Sequence, residues 1–323
     1  MVIMGKHFVP AGFNVKSYKE TAKLCRKPLL NSRWRVFHAR RNNEMLQAVS
    51  LKFLFGAKIK IVFTSTAQRY PSWITRWLIR HTDGLITTSN IAAKYLPRKP
   101  DAIIPHGVDS IRFQPPEESK EDAWKSLNLG GGFGVGIFGR VRPQKGVDIL
   151  IESMLGVFKR HPDCGASVVI VGETTKKYEP YLNALKRRVK ASGFEGRFHF
   201  LGKQPPDDIP KLFRGMSVVT ALSRNEGFGL TVLEAMSSGI PVIASTAGAW
   251  PDILQKANCG KLVRIEDIEE TTSVLHEMLS LPRNKLEEIG RQGRELVLRD
   301  YRLDKEARNL VNFYRTLGSN TRN

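Results

Sequence analysis

Two stretches of the chain hold side chains whose types and spacing suit work on a phosphorylated substrate. The first, residues 224–244, reads RNEGFGLTVLEAMSSGIPVIA. A Gly-x-Gly turn follows the apolar run SVVTALS and opens a helical pattern that stops at Gly239. Free N–H groups at such a helix start, with no Cβ in the way, form a natural phosphate site. Glu226 stands just before the turn and Glu234 inside the helix, so both can face the crevice at the carboxyl edge of a sheet, where ligands bind. A helix cap with a solvated glutamate is the alternative, and two carboxylates bracketing the turn weigh against it. The second stretch, residues 136–146, reads GIFGRVRPQKG. Arg140 and Lys145 lie on the loop after a strand, beside Gly146 and the next helix start, and suit a diphosphate, Arg as a fork and Lys as a point charge.

These loops need a sheet to aim them. In the front part RVFHA, KIKIVFTS, GLITTS and AIIPHG read as strands, with helical patterns near 41–55, 71–82 and 89–95. RFQPPEESKEDAW, with Pro115 and Pro116, reads as a linker. GVGIFG, SVVIVG, RFHFLG, SVVTALS, IPVIAS and KLVR form a second series, and from Pro282 the pattern is charged and helical. Strand and helix alternating twice predicts an α/β chain of two doubly wound domains, at 1–115 and 116–300. A final helix, about 301–323, is expected to return to the first. The opening 32 residues, with KSYKETAKLCRK before NSRWR, give no strand before Trp34, so the front domain is expected to lack its first βα unit.

Composition narrows the partners. The chain has 323 residues, 41% of them apolar, and a net charge of +20. Residues 1–118 carry 20 basic and 7 acidic residues, a net +13, so the front part is the better candidate to meet a polyanion. Scattered solubilising charge is the plain alternative. Three cysteines, Cys25, Cys164 and Cys259, fit neither a disulfide framework nor a C-x-x-C metal site. No apolar run reaches the roughly 18 residues of a membrane span, and MVIMGKHFVPAGF lacks a signal-peptide core, so a soluble or peripherally bound protein is expected. No nucleic-acid-binding module is visible, and nucleic acid is not an expected partner.

The E-x7-E spacing of Glu226 and Glu234, the GRVRPQKG loop, EAMSSGIPVIAS and IPHGVD at 104–109 together resemble the family 4 retaining glycosyltransferases of the GT-B fold. RVFHARRNNEM, KIVFTSTAQR and TRWLIRHTDGLITTS further resemble the lipopolysaccharide-core mannosyltransferases of alphaproteobacteria. The resemblance implies two Rossmann-like domains facing across a cleft that holds a nucleotide-sugar. Arg140 and Lys145 would hold its diphosphate, Glu226 would meet the donor sugar hydroxyls and Glu234 the ribose. Backbone N–H groups of Gly227, Phe228, Gly229 and Leu230 would meet phosphate or sugar. With no D-x-D triplet in the chain, cations rather than a metal are expected as the clamp. His38, at the end of VFHA, would line the cleft or serve as a satisfied structural histidine, and His106 replaces the more usual Asn of its turn.

The implied reaction is transfer of a hexose, mannose from GDP-mannose, to a lipopolysaccharide-core glycolipid at the anionic cytoplasmic face of the inner membrane. Arg40, Arg41, Lys58, Lys60 and Arg69 would meet phosphate or carboxylate groups of a lipid-A or Kdo-bearing acceptor. Trp73 and Trp77, four apart with Arg76 and Arg80, read as the core-facing stripe of a Rossmann helix, with an interfacial helix as the alternative. A UDP-sugar hexosyltransferase of capsule or exopolysaccharide synthesis, a non-catalytic polyanion binder and an inactive remnant without the family's front Gly-rich loop remain alternatives.

Overall fold

Near-continuous apolar runs along the strands and apolar residues at helical spacing between them build parallel sheets covered on both faces. The computed structural model describes residues 1–5, 12–27, 29 and 34–319. The chain divides into a first unit, Met1–Ile104 with Ala307–Asn323, and a second, Pro105–Glu306.

The first unit runs β1 (Val2–Met4), β2 (Asn14–Lys16), α1 (Tyr18–Arg26), β3 (Arg35–Ala39), α2 (Asn42–Phe53), β4 (Ile59–Ser65), α3 (Trp73–Arg80), β5 (Gly84–Thr87), α4 (Asn90–Ala93) and β6 (Ala102–Ile103). Strands β3-β4-β5-β6 form one parallel sheet in chain order. Along β4 successive side chains alternate between faces. Phe63 packs with Met45 of α2 and Leu78 of α3, whereas Val62 packs with Ile86 on the other face. That other face is covered by Leu310, Phe313 and Leu317 of the last helix. A Cβ on Gly84 would sit 2.9 Å from the Phe313 ring, so the missing side chain leaves room for this helix on the sheet.

Two sequence expectations need correcting. Strands β1 and β2 and helix α1 precede Trp34, where the sequence pattern suggested no strand. Three-residue strands are too short to show an alternation, and β1 and β2 pair in parallel only with each other. Helix α1 starts with a reciprocal cap, Glu20 N–H donating to Ser17 Oγ (3.3 Å) and Ser17 N–H to Glu20 Oε2 (2.8 Å). Residues 6–11 of the opening segment and 31–33 of NSRWR lie outside the described residues. Second, Trp73 and Trp77 are not core residues. Leu78 and Ile79 anchor α3, and both tryptophans are exposed, because in an eight-residue helix that one aliphatic pair fills the inner face.

The second unit runs α5 (Lys120–Lys125), β7 (Phe133–Phe138), α6 (Val147–Arg160), β8 (Ala166–Val171), α7 (Glu179–Lys190), β9 (Phe198–Gly202), α8 (Ile209–Gly215), β10 (Met216–Ala221), α9 (Leu230–Ser237), β11 (Val242–Ser245), α10 (Trp250–Leu254), β12 (Gly260–Val263), α11 (Ile268–Leu279) and α12 (Arg283–Asp300). Helix α13 (Leu303–Ser319) starts here, and from Ala307 belongs to the first unit. The six parallel strands lie in the order β12-β11-β10-β7-β8-β9, so the order reverses between β7 and β10. Val169 and Val171 of β8 face one core, Val168 and Ile170 the other. Among the described residues no helix is long and apolar enough to cross a membrane.

Gly146 sets the close approach of β7's loop to β10. Its φ is +70°, and a Cβ there would run into the Leu222 carbonyl. Gly146→Ala is expected to lower stability by about 2 kcal/mol or more, from left-handed strain plus displaced backbone. Gly196, with open space around it, is the control: Gly196→Ala should stay within about 0.5 kcal/mol in urea unfolding.

Candidate active site

In an open parallel sheet the loops after the strands that flank a reversal of order separate, and a crevice opens between them. In the second unit these are the loop 139–146 after β7 and the loop 222–229 after β10. The first contains Gly139 (φ +135°), Arg140 and a turn of 3-10 helix, Pro143–Lys145, that ends at Gly146. The second contains Ser223, Arg224, Glu226 and Gly227 and enters α9 through Gly229.

Gly229 has φ +80°, and a Cβ there would meet the Trp250 indole. The buried Trp250 donates its Nε1–H to Gly229 O (3.0 Å), which fixes the turn. No side chain caps the start of α9, which leaves its first-turn N–H groups to an anion. Phe228 is buried with its ring 5.2 Å, edge-on, from that of His106. His106 Nδ1 is 2.9 Å from Glu306 Oε1, and Glu306 Oε2 accepts the Gly107 N–H (2.8 Å). His106 therefore props the glycine turn from behind.

Lys145 and Glu226 are joined in an ion pair between the two loops. Glu226 also accepts from Gly227 N–H (3.2 Å) and from Ser223 Oγ (3.4 Å), and its stem packs beside Gly248. The Lys145 stem runs past Gly139. A network absent from the sequence reading holds this arrangement. Arg224 donates from Nη1 to Asp148 Oδ1 (3.0 Å) and from Nη2 to Asp148 Oδ2 (2.7 Å). Its Nε donates to Glu266 Oε1 (2.5 Å), and Tyr181 Oη donates to Asp148 Oδ1 (2.8 Å). The one available signal was an acid two residues past Gly146 and an arginine just before the glycine turn.

Arg140 and Glu234 line one cavity of about 250 Å³ with Gly139, Glu173, Lys203 and Thr231. Burial pushes the Glu234 carboxyl up to about 7, against the pull of Arg112. A carboxylate in this mixed lining, with Phe138 and Phe213 beside Arg140 and Lys203, can accept two hydroxyl hydrogens from a ligand. Another cavity of about 260 Å³ lies at the amino ends of β7 and β10, lined by Lys120, Trp124 and Phe133. There the Lys120 ammonium donates to Arg214 O (3.2 Å) and caps the end of α8, and none of Arg140, Lys145, Glu226 and Glu234 is in the lining.

His38, in the first unit, is engaged on both ring nitrogens. Nδ1 shares a hydrogen bond with Tyr314 Oη of α13 (2.5 Å), and Nε2 one with Thr64 Oγ1 of β4 (2.7 Å). It ties the end of β3 to its neighbours. On the same sheet edge a cavity of about 490 Å³ is lined by Arg40, Arg69, Tyr70, Ser72, Thr75 and Tyr95.

Strand order and the loops at its reversal define a Rossmann-like unit, and the chain as a whole has the two such units of the GT-B fold. HepE of Anabaena, solved in complex with UDP, covers 94% of this chain with 86% of its own at a TM-score of 0.81; at 18% identity the likeness is one of fold. The C-terminal domain of a group 1 glycosyl transferase (LpcC) from Francisella tularensis is 34% identical and covers 61% of this chain with all of its own, TM-score 0.57. The model of glycosyl transferases group 1 matches residues 119–296. The lipopolysaccharide core biosynthesis mannosyltransferase LpcC of Rhizobium leguminosarum bv. viciae is 38% identical over 291 residues, 90% of this chain and 81% of that protein. LpsB of Rhizobium meliloti (strain 1021), of the same description, is 36% identical over 286 residues, 88% and 80%. The chain belongs to the group 1 glycosyl transferases and is a glycosyltransferase.

The raised pKa of Glu234 has a stability consequence. Between the ordinary value of 4.5 and about 7 the native state keeps a proton that the unfolded state has lost. The stabilisation is therefore full below 4.5 and is lost as pH rises through 7. Glu234→Gln, neutral at every pH, should melt close to the unaltered protein at pH 4 and above it at pH 8, by scanning fluorimetry. A gap that does not widen with pH counts against a desolvated carboxyl.

Proposed function

We propose that the chain transfers mannose from GDP-mannose, with retention, to a lipopolysaccharide-core glycolipid at the cytoplasmic face of the inner membrane. The reading rests on the cavity of Arg140 and Glu234 beside the Lys145–Glu226 pair. The mannosyltransferase names of relatives that align over about nine-tenths of the chain support it. Glu234 takes the ribose hydroxyls, and Arg140, Lys145 and the N–H groups of Gly229 and Leu230 face the diphosphate. Gly227 and Phe228 bring the chain close to the sugar, and Glu226 meets its hydroxyls. As the glycosidic bond lengthens, negative charge grows on the leaving diphosphate and positive charge on the sugar. Lys145 and Glu226 already hold opposite charges side by side, so both changes meet a partner with little reorganisation.

The acceptor enters the first unit. Its 490 Å³ cavity has no carboxylate in its lining, and among the described residues neither the Arg40 nor the Arg69 guanidinium has an ion-pair partner. Two unneutralised guanidiniums among hydroxyls and two tyrosines suit a sugar that carries carboxylate or phosphate. His38 is a positioning residue here: it steadies the end of β3, from which Arg40 projects.

Calorimetry with GDP-mannose, UDP-glucose, UDP-galactose and ADP-heptose should give binding with GDP-mannose. If UDP-glucose or UDP-galactose binds in its place, the donor assignment falls, and if none binds, the whole reading does. Glu226→Ala should lower kcat about 10²-fold. Arg69→Gln should raise the acceptor KM about tenfold and leave the donor KM unchanged; a rise in the donor KM instead would remove the cavity from acceptor binding.

A further inference from the structure

Helix α3 is amphipathic in a way its unit does not use. Leu78 and Ile79 satisfy the core, while Trp73 is 73% exposed, Trp77 44% and Ile74 41%. The apolar exposure continues onto the end of α2, where Phe53 is 60% and Leu54 78% exposed. The two sets form one surface. The Trp77 ring lies 4.4 Å from that of His81, which lies 5.8 Å from that of Phe53. Asn42 Nδ2 donates to Thr75 Oγ1 (2.8 Å) and ties α2 to α3.

The charge around this band has one sign. Arg76 and Arg80 are exposed on α3, which has no acidic residue. From 34 to 83 the sequence holds nine Lys and Arg but only Glu44 and Asp83 as acids. Glu44 is spent on the Arg40 and Arg41 N–H groups at the start of α2, and Asp83 on Lys52 and Lys60. Exposed tryptophan rings with arginines on the same short helix match a headgroup boundary, apolar below and anionic above. A second copy of the chain would set these cations against themselves.

The same helix borders the acceptor cavity, whose lining includes its N-cap Ser72 and Thr75. We propose that the Phe53–Leu54 and Trp73–Trp77 face docks the first unit onto an anionic lipid leaflet. A glycolipid then offers its sugars to the cavity while its acyl chains stay in the bilayer. The docking stands on the surface alone; only its purpose rests on the glycolipid reading above.

The test is co-sedimentation of the whole chain with vesicles of phosphatidylcholine alone or mixed with phosphatidylglycerol, without sugar or nucleotide. Binding to the mixed vesicles is expected, with tryptophan emission shifted to the blue and quenched by brominated lipid. Trp73→Ser with Trp77→Ser should weaken binding at least about tenfold, and Arg76→Gln with Arg80→Gln about fivefold per arginine. Because these side chains are exposed, the melting temperature should hold, and transfer to a deacylated, soluble acceptor should be unchanged. Absent binding, equal binding to pure phosphatidylcholine, or unaltered binding by the variants overturns the proposal. Self-association that the tryptophan substitutions abolish overturns it in favour of a second copy. A failed mannose assay beside intact vesicle binding would overturn only the donor and acceptor reading.

Discussion

Arg224 is held on four sides: both terminal nitrogens bind Asp148, Nε binds Glu266, and its own N–H donates to Gln144 O (2.9 Å). The Asp148 and Gln144 bonds join the loop after β10 to the loop and helix start after β7, the two segments that flank the reversal of strand order, and the Glu266 bond adds the segment after β12. Burial alone would push the Asp148 carboxyl up, but the hydrogen bonds from Arg224 and Tyr181 outweigh it and leave it lowered. Burial likewise raises the Tyr181 phenol, with the Asp148 charge adding to it, so the hydroxyl stays a donor. A lysine in place of Arg224 would supply the charge without the planar fork, and only the fork sets the angle between two loops.

The rest of the site follows from that tie. With the loops clamped, Gly146 has to pass the Leu222 carbonyl without a side chain, and Lys145 is brought over Gly139 to Glu226. Glu226 is half-buried, and without Lys145 its charge would be costly; paired, it is a carboxylate fixed in direction. Glu234 has no such partner, and burial acts on it unopposed except by Arg112. Two glutamates eight residues apart thus differ in surroundings, Glu226 paired with an ammonium and Glu234 pressed toward neutrality by burial. A ligand that brings hydroxyls to Glu234 relieves the second, because hydrogen bonds to the charged form favour it.

Much of the donor unit was legible because its chemistry is local. Glycine turns, their flanking charges and the strand before each loop are adjacent in sequence, so the spacing alone puts Arg140, Lys145, Glu226 and Glu234 on neighbouring loops, where Lys145 meets Glu226 and Arg140 shares a cavity with Glu234. The Arg224–Asp148 fork and the Trp250–Gly229 bond were not legible, since each joins residues 76 or 21 positions apart with no periodic signal. His38 shows the same limit: a histidine ending a strand announces itself, but its partner Tyr314 lies 276 residues on. The tryptophans of α3 misled for another reason. Four-residue spacing states which side chains share a helix face, and the face that meets the core is decided by the sheet beneath.

The surplus charge takes its meaning from where the acids are used. In the second unit carboxylates are spread among the cations: Asp148 and Glu266 hold Arg224, Glu152 holds Arg188, Glu269 holds Arg160 and Glu277 holds Lys261. In the first unit Asp83 pairs with Lys52 and Lys60 and Asp101 with Arg98, and each acid also accepts a strand N–H, Ile61 N at 2.8 Å and Leu85 N at 2.7 Å. Those acids serve the sheet before they serve the surface. Among the described residues no ion pair involves Arg40, Arg69, Arg76 or Arg80, so the surface they share carries a positive potential that attracts anions and weakens with salt.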